Sequence, residues 1–239
     1  MKQWKLIAAV AGLSPLACLA DSPWSGDAAL GYIRSTGTTN NTALNFKGDL
    51  DWKSAPWDNQ FHALGAYGSS KGASSAENYQ FGDKLNYDLN PDSYVFTSFD
   101  YANDRFAGVV SRYSEAAGYG RHFIKTDMQT LDVDVGVGAS QTRDAEARDY
   151  DNQFIGVFNL AYLLKITPTA QYKQTLHIEG GVNNTFINPV AELKLNIIGN
   201  VFASLAYDWR HNTSVPDGSV HTDTLTTINF GYTFGKKPS

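Results

Sequence analysis

Between Thr42 and Trp52 the chain changes character at every residue. Even positions read Thr42, Leu44, Phe46, Gly48, Leu50 and Trp52, while odd positions read Ala43, Asn45, Lys47, Asp49 and Asp51, followed by Lys53. Successive side chains of a β-strand point to opposite faces, so a period of two makes this segment a strand with one apolar and one charged side. The pattern returns. Leu131, Val133, Val135, Val137 and Ala139 stand opposite Asp132, Asp134, Gly136 and Gly138; Val201 to Trp209 and Ile228 to Phe234 alternate in the same way. Weaker versions run over 27–35, 60–70, 77–89, 93–102, 111–123, 153–165, 170–182 and 189–198. Twelve strands are thus predicted. No Pro/Ser-rich linker divides them, which gives one domain.

The connections have a rhythm of their own. Strands two, four, six, eight and ten are followed by short stretches, "SAPWDN", "NPDS", "IKTDMQ", "TPTA" and "IGN", built from the turn formers Pro, Asp, Asn and Gly. After the odd strands come longer polar ones: "TGTTNN", "KGASSA", "NDRFAGVVS", "RDAEARDYDN", "NNTFINP" and "HNTSVPDGSVH". Short turns on one side and long loops on the other are the pattern of bacterial outer-membrane barrels. A soluble β-sandwich, the class-level alternative, would scatter its loop lengths. Strand length agrees with a membrane: eleven residues at about 3.3 Å each, tilted by about 40°, rise about 28 Å, against an apolar band about 25 Å tall. The predicted fold class is therefore all-β, an antiparallel up-and-down transmembrane barrel of about twelve strands with both termini in the periplasm.

The N-terminus sets the compartment. Lys2 and Lys5 precede an apolar stretch from Leu6 to Leu19, and Ala20 precedes Asp21, which reads as a secretory signal over residues 1–20 with the barrel domain over 21–239. A lipoprotein cut before Cys18 would want Leu where Pro15 stands. Cleavage after Ala20 removes two lysines and the one cysteine, so the mature chain carries 17 basic and 24 acidic residues and no disulfide. That acidic balance argues against a nucleic-acid partner. After the signal no run of 18 apolar residues occurs, so no transmembrane helix is expected. The last strand, with Ile228, Phe230, Tyr232 and Phe234, is similar to the C-terminal signal read by the barrel-assembly machinery, although "GKKPS" follows it.

If the apolar positions face lipid, the opposite set lines the interior. That set is Lys47, Asp49, Asp51, Lys53, Lys84, Asp88, Asp132, Asp134, Lys173, His177, Glu179, Glu192, Lys194, Asp208 and Arg210. Both signs are interspersed. An unpaired buried ion costs several kcal/mol, so these charges must pair or stay hydrated, as a salt-bridged filling or a partly hydrated passage. No ring of one sign emerges that would predict selectivity.

Catalysis is the weaker reading. Asp49/Asp51 and Asp132/Asp134 could suggest acid and base work, but alternation alone places them. A lipid hydrolase or acyltransferase, the alternative function, needs a His with a Ser, and none of His62, His122, His177, His211 and His221 lies in such a motif; His211 and His221 fall in the last long connection. The carboxylates of "RDAEARDYD" could share divalent cations with lipopolysaccharide, yet lack EF-hand spacing. "NDRF" places Phe106 as a girdle residue beside an Asp104/Arg105 cap. No cofactor or metal is expected; the partners are outer-membrane lipids, lipopolysaccharide and the assembly machinery.

"LGYIRSTGTTNNTALNFKGDLDW" and "YDLNPDSYVFTSFDYANDRFAGVVSRYSEAAGYGRHFI" resemble the first hairpin and the central block of the YdiY-like family. In the second stretch Tyr94, Phe96, Tyr101, Asp104, Arg105, Phe106, Arg112, Gly118 and Gly120 carry the likeness, which spans residues 26 to 234. The family is described as salt-induced outer-membrane proteins and classed as a domain of unknown function. The resemblance implies an outer-membrane barrel of unknown biochemical activity, salt- or osmotic-stress-associated, with no catalytic residues to transfer; the leading expectation is a non-enzymatic, porin-like envelope protein with a small pore.

Overall fold

The computed structural model describes residues 22–35, 41–70, 73–104, 109–144, 150–215 and 220–235. The signal segment, Arg105, Phe106 and the centre of "RDAEARDYD" lie outside them. Twelve strands are described: β1 (Trp24–Ser35), β2 (Asn41–Ser54), β3 (Trp57–Ser70), β4 (Ala73–Asn90), β5 (Ser93–Asp104), β6 (Val109–Lys125), β7 (Gln129–Asp144), β8 (Asp151–Thr167), β9 (Ala170–Gly181), β10 (Thr185–Ile198), β11 (Val201–Asn212) and β12 (Thr222–Phe234). Each pairs antiparallel with its chain neighbours, and β1 closes the ring on β12 with Gly26 opposite Phe234 and Leu30 opposite Phe230. Closure leaves no strand edge, which satisfies backbone groups without water. The expected up-and-down barrel is what forms.

The even-numbered connections are tight, with two residues between β2 and β3, β4 and β5, β8 and β9, and β10 and β11. Gly199 in the last adopts φ +55°, a conformation that suits glycine. Two connections expected to be long are short. "KGASSA" is mostly strand, since β3 runs to Ser70 and β4 begins at Ala73, and "NNTFINP" lies largely in β10. Polar residues can extend a ladder beyond the apolar band, where water tolerates them, so polarity alone overestimates loop length. Pro189 sits inside β10 at a gap: the β10–β11 register passes from Ile187 to Val190. The Asn188 amide spans that gap, donating to the Trp209 carbonyl at 3.0 Å and to Asp208 at 2.6 Å, so a residue without N–H fits there.

Alternation sorts the two faces. Phe154 is 88% exposed, Val137 73% and Phe230 62%; in water this would be an improbable surface, and in lipid it is the required one. Ile228 and Tyr232 share the outer face of β12. Aromatics gather at both ends. At the short-turn end Trp24 meets Trp52 at 6.3 Å and Trp57 meets Tyr87 at 4.8 Å between ring centroids. At the long-loop end Tyr113 lies 5.0 Å from Tyr101 and 6.3 Å from Tyr150. Along tilted β6, Tyr113 and Phe123 are separated by about 25 Å, the height of an outer-membrane apolar band.

Candidate functional site

The inward face carries the chemistry. On β2, Lys47 reaches Glu192 of β10 at 2.5 Å and Asp49 at 3.5 Å. From β10, Lys194 reaches Asp27 of β1 at 2.5 Å and Thr233 of β12 at 3.0 Å, above the Phe202 ring at 4.0 Å. Strands β2 and β10 are separated along the wall by β1, β12 and β11, so these bonds span the interior. Asn45 of β2 bonds to Asn229 of β12 across the single strand β1, over Gly31. Beside these bonds lies a cavity of about 50 Å³ lined by Asp27, Lys47, Asp49, Lys173, Glu192 and Lys194, with Leu163 and Gln171. This is a waist.

The facing wall is built differently. Lys84 of β4 pairs with Asp134 of β7, which also accepts the Tyr94 hydroxyl, and its ammonium lies 4.9 Å from the Phe96 ring centre and 5.3 Å from that of Tyr94. Tyr94 and Phe96 are buried although both point inward from β5. Their register partners are Gly120 and Gly118 of β6. A Cβ on Gly118 would approach Phe96 to 2.8 Å and the Gly136 Cα to 2.6 Å, so glycine is needed where an aromatic ring covers the neighbouring strand.

Toward the long loops, Glu179 accepts from Ser114 at 3.2 Å, lies 3.1 Å from His177 Nε2 and 3.7 Å from Arg112, whose guanidinium stacks on Phe186 at 4.1 Å. Arg210 pairs with Asp208 at 2.5 Å, and His62 lies 3.4 Å from Asp100. Toward the short turns, Lys53 pairs with Asp58 at 2.8 Å, and His122 Nδ1 lies 2.6 Å from Asp132. Asp51 and Asp88 have no Lys or Arg within 4 Å among the described residues, and Lys173 has no carboxylate.

All fifteen interior residues read from the sequence lie on the inward series fixed by the strand registers. The structure brings Lys47, Glu192, Lys194, Lys84 and Asp134 into pairs and leaves Asp51, Asp88 and Lys173 apart. Sequence reasoning missed Asp27, Asp58, Asp100, Asp223, Arg112 and the aromatic pair Tyr94 and Phe96. The same period-two count, extended through β1, β3, β5, β6 and β12, would have found them.

The geometry gives catalysis no constellation. Asp49 turns to Lys47 and Asp134 to Lys84, so neither carboxylate pair shares a site. Ser114 bonds to Glu179 rather than to His177, whose Nδ1 lies 2.6 Å from Asn159. His211, expected in a loop, ends β11 and stacks on Trp209 at 5.4 Å, because the ladder continues past the apolar band. Among the described residues no cluster of His, Cys, Asp and Glu could hold a metal.

Comparison with known proteins places these features. The family model "Protein of unknown function, DUF481" matches residues 28–234. The uncharacterized protein YdiY of Escherichia coli (strain K12) is 26% identical over 216 residues, covering 89% of this chain and 84% of YdiY. Among solved structures, the COG4313 outer membrane channel from Pseudomonas putida F1 aligns with a TM-score of 0.51 at 10% identity, covering 88% of this chain and 95% of the channel. The translocator domain of the autotransporter NalP from Neisseria meningitidis aligns at 0.50 and 11% identity, covering 88% of each chain. These two likenesses are of fold.

Proposed function

The chain belongs to the DUF481 family of proteins of unknown function, and we propose that it is a non-enzymatic outer-membrane barrel that forms a narrow passage for water and small ions. The observation that carries this is the waist. Ion pairs between β2 and β10 and between β10 and β1 span the interior beside a cavity of about 50 Å³, room for a handful of waters. Charged walls keep such a space wet, whereas an apolar filling would dry it. Sugars and peptides do not fit. Proteoliposomes should pass potassium while excluding oligosaccharides in swelling assays; swelling with a trisaccharide would contradict the narrow waist.

The signal over residues 1–20 delivers the chain to the periplasm with cleavage after Ala20, and Ile228, Phe230, Tyr232 and Phe234 on β12 present it to the assembly machinery. N-terminal sequencing of membrane-extracted protein tests the first, and loss of heat-modifiable mobility in a Phe234→Ala/Tyr232→Ala variant the second. The outer face of the barrel contacts membrane lipids and lipopolysaccharide. A passage this narrow suits an envelope under osmotic or ionic load, and the protein level should rise with external salt. With no His and Ser in contact among the described residues, the envelope lipid profile should stay unchanged on overexpression.

A further inference from the structure

The interior charges are unevenly distributed along the barrel axis. At the waist Asp27, Asp49, Asp134 and Glu192 face Lys47, Lys84, Lys173 and Lys194, four against four. Toward the short turns the inward series holds Asp51, Asp58, Asp88 and Asp132 against Lys53, Lys125 and Lys165. Toward the long loops and below the rim, it holds Asp100, Glu179, Asp208 and Asp223 against Arg112 and Arg210. A neutral waist lies between two vestibules, with one carboxylate in excess toward the short turns and two toward the long loops among the described residues.

The short-turn vestibule is the better defined of the two. Asp51 from β2, Asp58 from β3 and Asp132 from β7 all act electrostatically on Lys53. Only Asp58 takes it as an ion-pair partner, at 2.8 Å. Asp132 has His122 at 2.6 Å, and Asp51 has no cation within 4 Å among the described residues. Asp51 also senses Lys173, deeper inside, but that charge is shared with Asp49 and Glu192. Of the three carboxylates, Asp58 alone is paired with an ammonium, and Asp51 is left to solvent ions.

We propose that the passage is cation-selective, its acidic vestibules concentrating small cations on either side of a neutral waist. The inference rests on the reading of the barrel as an open passage. Narrow channels with low-dielectric walls focus the field of their lining charges, so an excess of carboxylates at each mouth raises the local cation concentration and lowers that of anions. No bound ion is required; the vestibules act by potential and the waist by size. The even mixture of signs that suggests no selectivity in the sequence holds only at the waist.

The test is the reversal potential of the refolded protein in a planar bilayer across a tenfold KCl gradient. Expected is a potassium preference over chloride that falls by roughly two-fold or more in Asp51→Asn/Asp132→Asn, as removal of the vestibule excess requires. Asp51→Glu/Asp132→Glu should keep it. If the Asn variant fails to show heat-modifiable mobility, Asp88→Asn supplies a milder removal of charge at the same mouth. Current with no preference, with chloride preference, or with a preference indifferent to these variants would overturn the selectivity. No current from folded wild-type protein would instead overturn the passage itself.

Discussion

The waist and the short-turn vestibule are lined by the same residue types on overlapping strands, yet they solve the problem of interior charge in opposite ways. At the waist Glu192 and Lys194 are nearly buried, so each needs a partner; desolvation removes the alternative of water. At the vestibule the Lys53 side chain is 56% exposed, and water and mobile ions can serve its neighbours. Burial rather than composition decides whether a charge becomes part of the wall or part of the field. On the proposed reading the waist contributes stability and the vestibule contributes permeation.

Breaking the waist should have the largest effect. Glu192→Ala strands Lys47 with Asp49 at 3.5 Å and should cost on the order of 3 kcal/mol in denaturant unfolding, while single-channel current rises as the opening widens. Next comes the glycine-lined wall: Gly118→Val forces Phe96 out of its seat and should cost about 1–3 kcal/mol by the same measurement. A double-mutant cycle on Lys47 and Glu192 should return a coupling above about 1 kcal/mol, against less than about 0.5 kcal/mol for the Lys53 and Asp58 pair, whose ammonium is open to solvent. Equal couplings would erase the distinction between the regions. Smallest is Asp51→Asn, which should shift unfolding by less than about 0.5 kcal/mol and change only the ion preference.

The wall of this barrel was legible in the sequence, and its interior wiring was not. Period-two alternation in "NTALNFKGDLDWKS" assigns β2 its two faces, and closure follows from twelve such segments. Strand ends were less visible. Residues Ala73 to Ala76 and Thr185 to Pro189 look like loop because of their small residues, Asn and Pro, yet they belong to the ladders of β4 and β10. Which charges meet was hidden for a different reason. Alternation says that Lys47 points inward, but its partner Glu192 lies 145 residues away in sequence, and choosing it requires the shape of the closed cross-section. The glycines Gly118, Gly120 and Gly136 read as ordinary small residues until Tyr94 and Phe96 are seen lying across them.

A narrow, charged waist is the central claim, and single-channel recording of folded wild-type protein beside a Glu192→Ala/Lys194→Ala variant tests it most directly. The expected result is a small wild-type conductance that increases several-fold when the two side chains spanning the interior are removed. A silent barrel in both forms, with heat-modifiable mobility proving that both are folded, would contradict it.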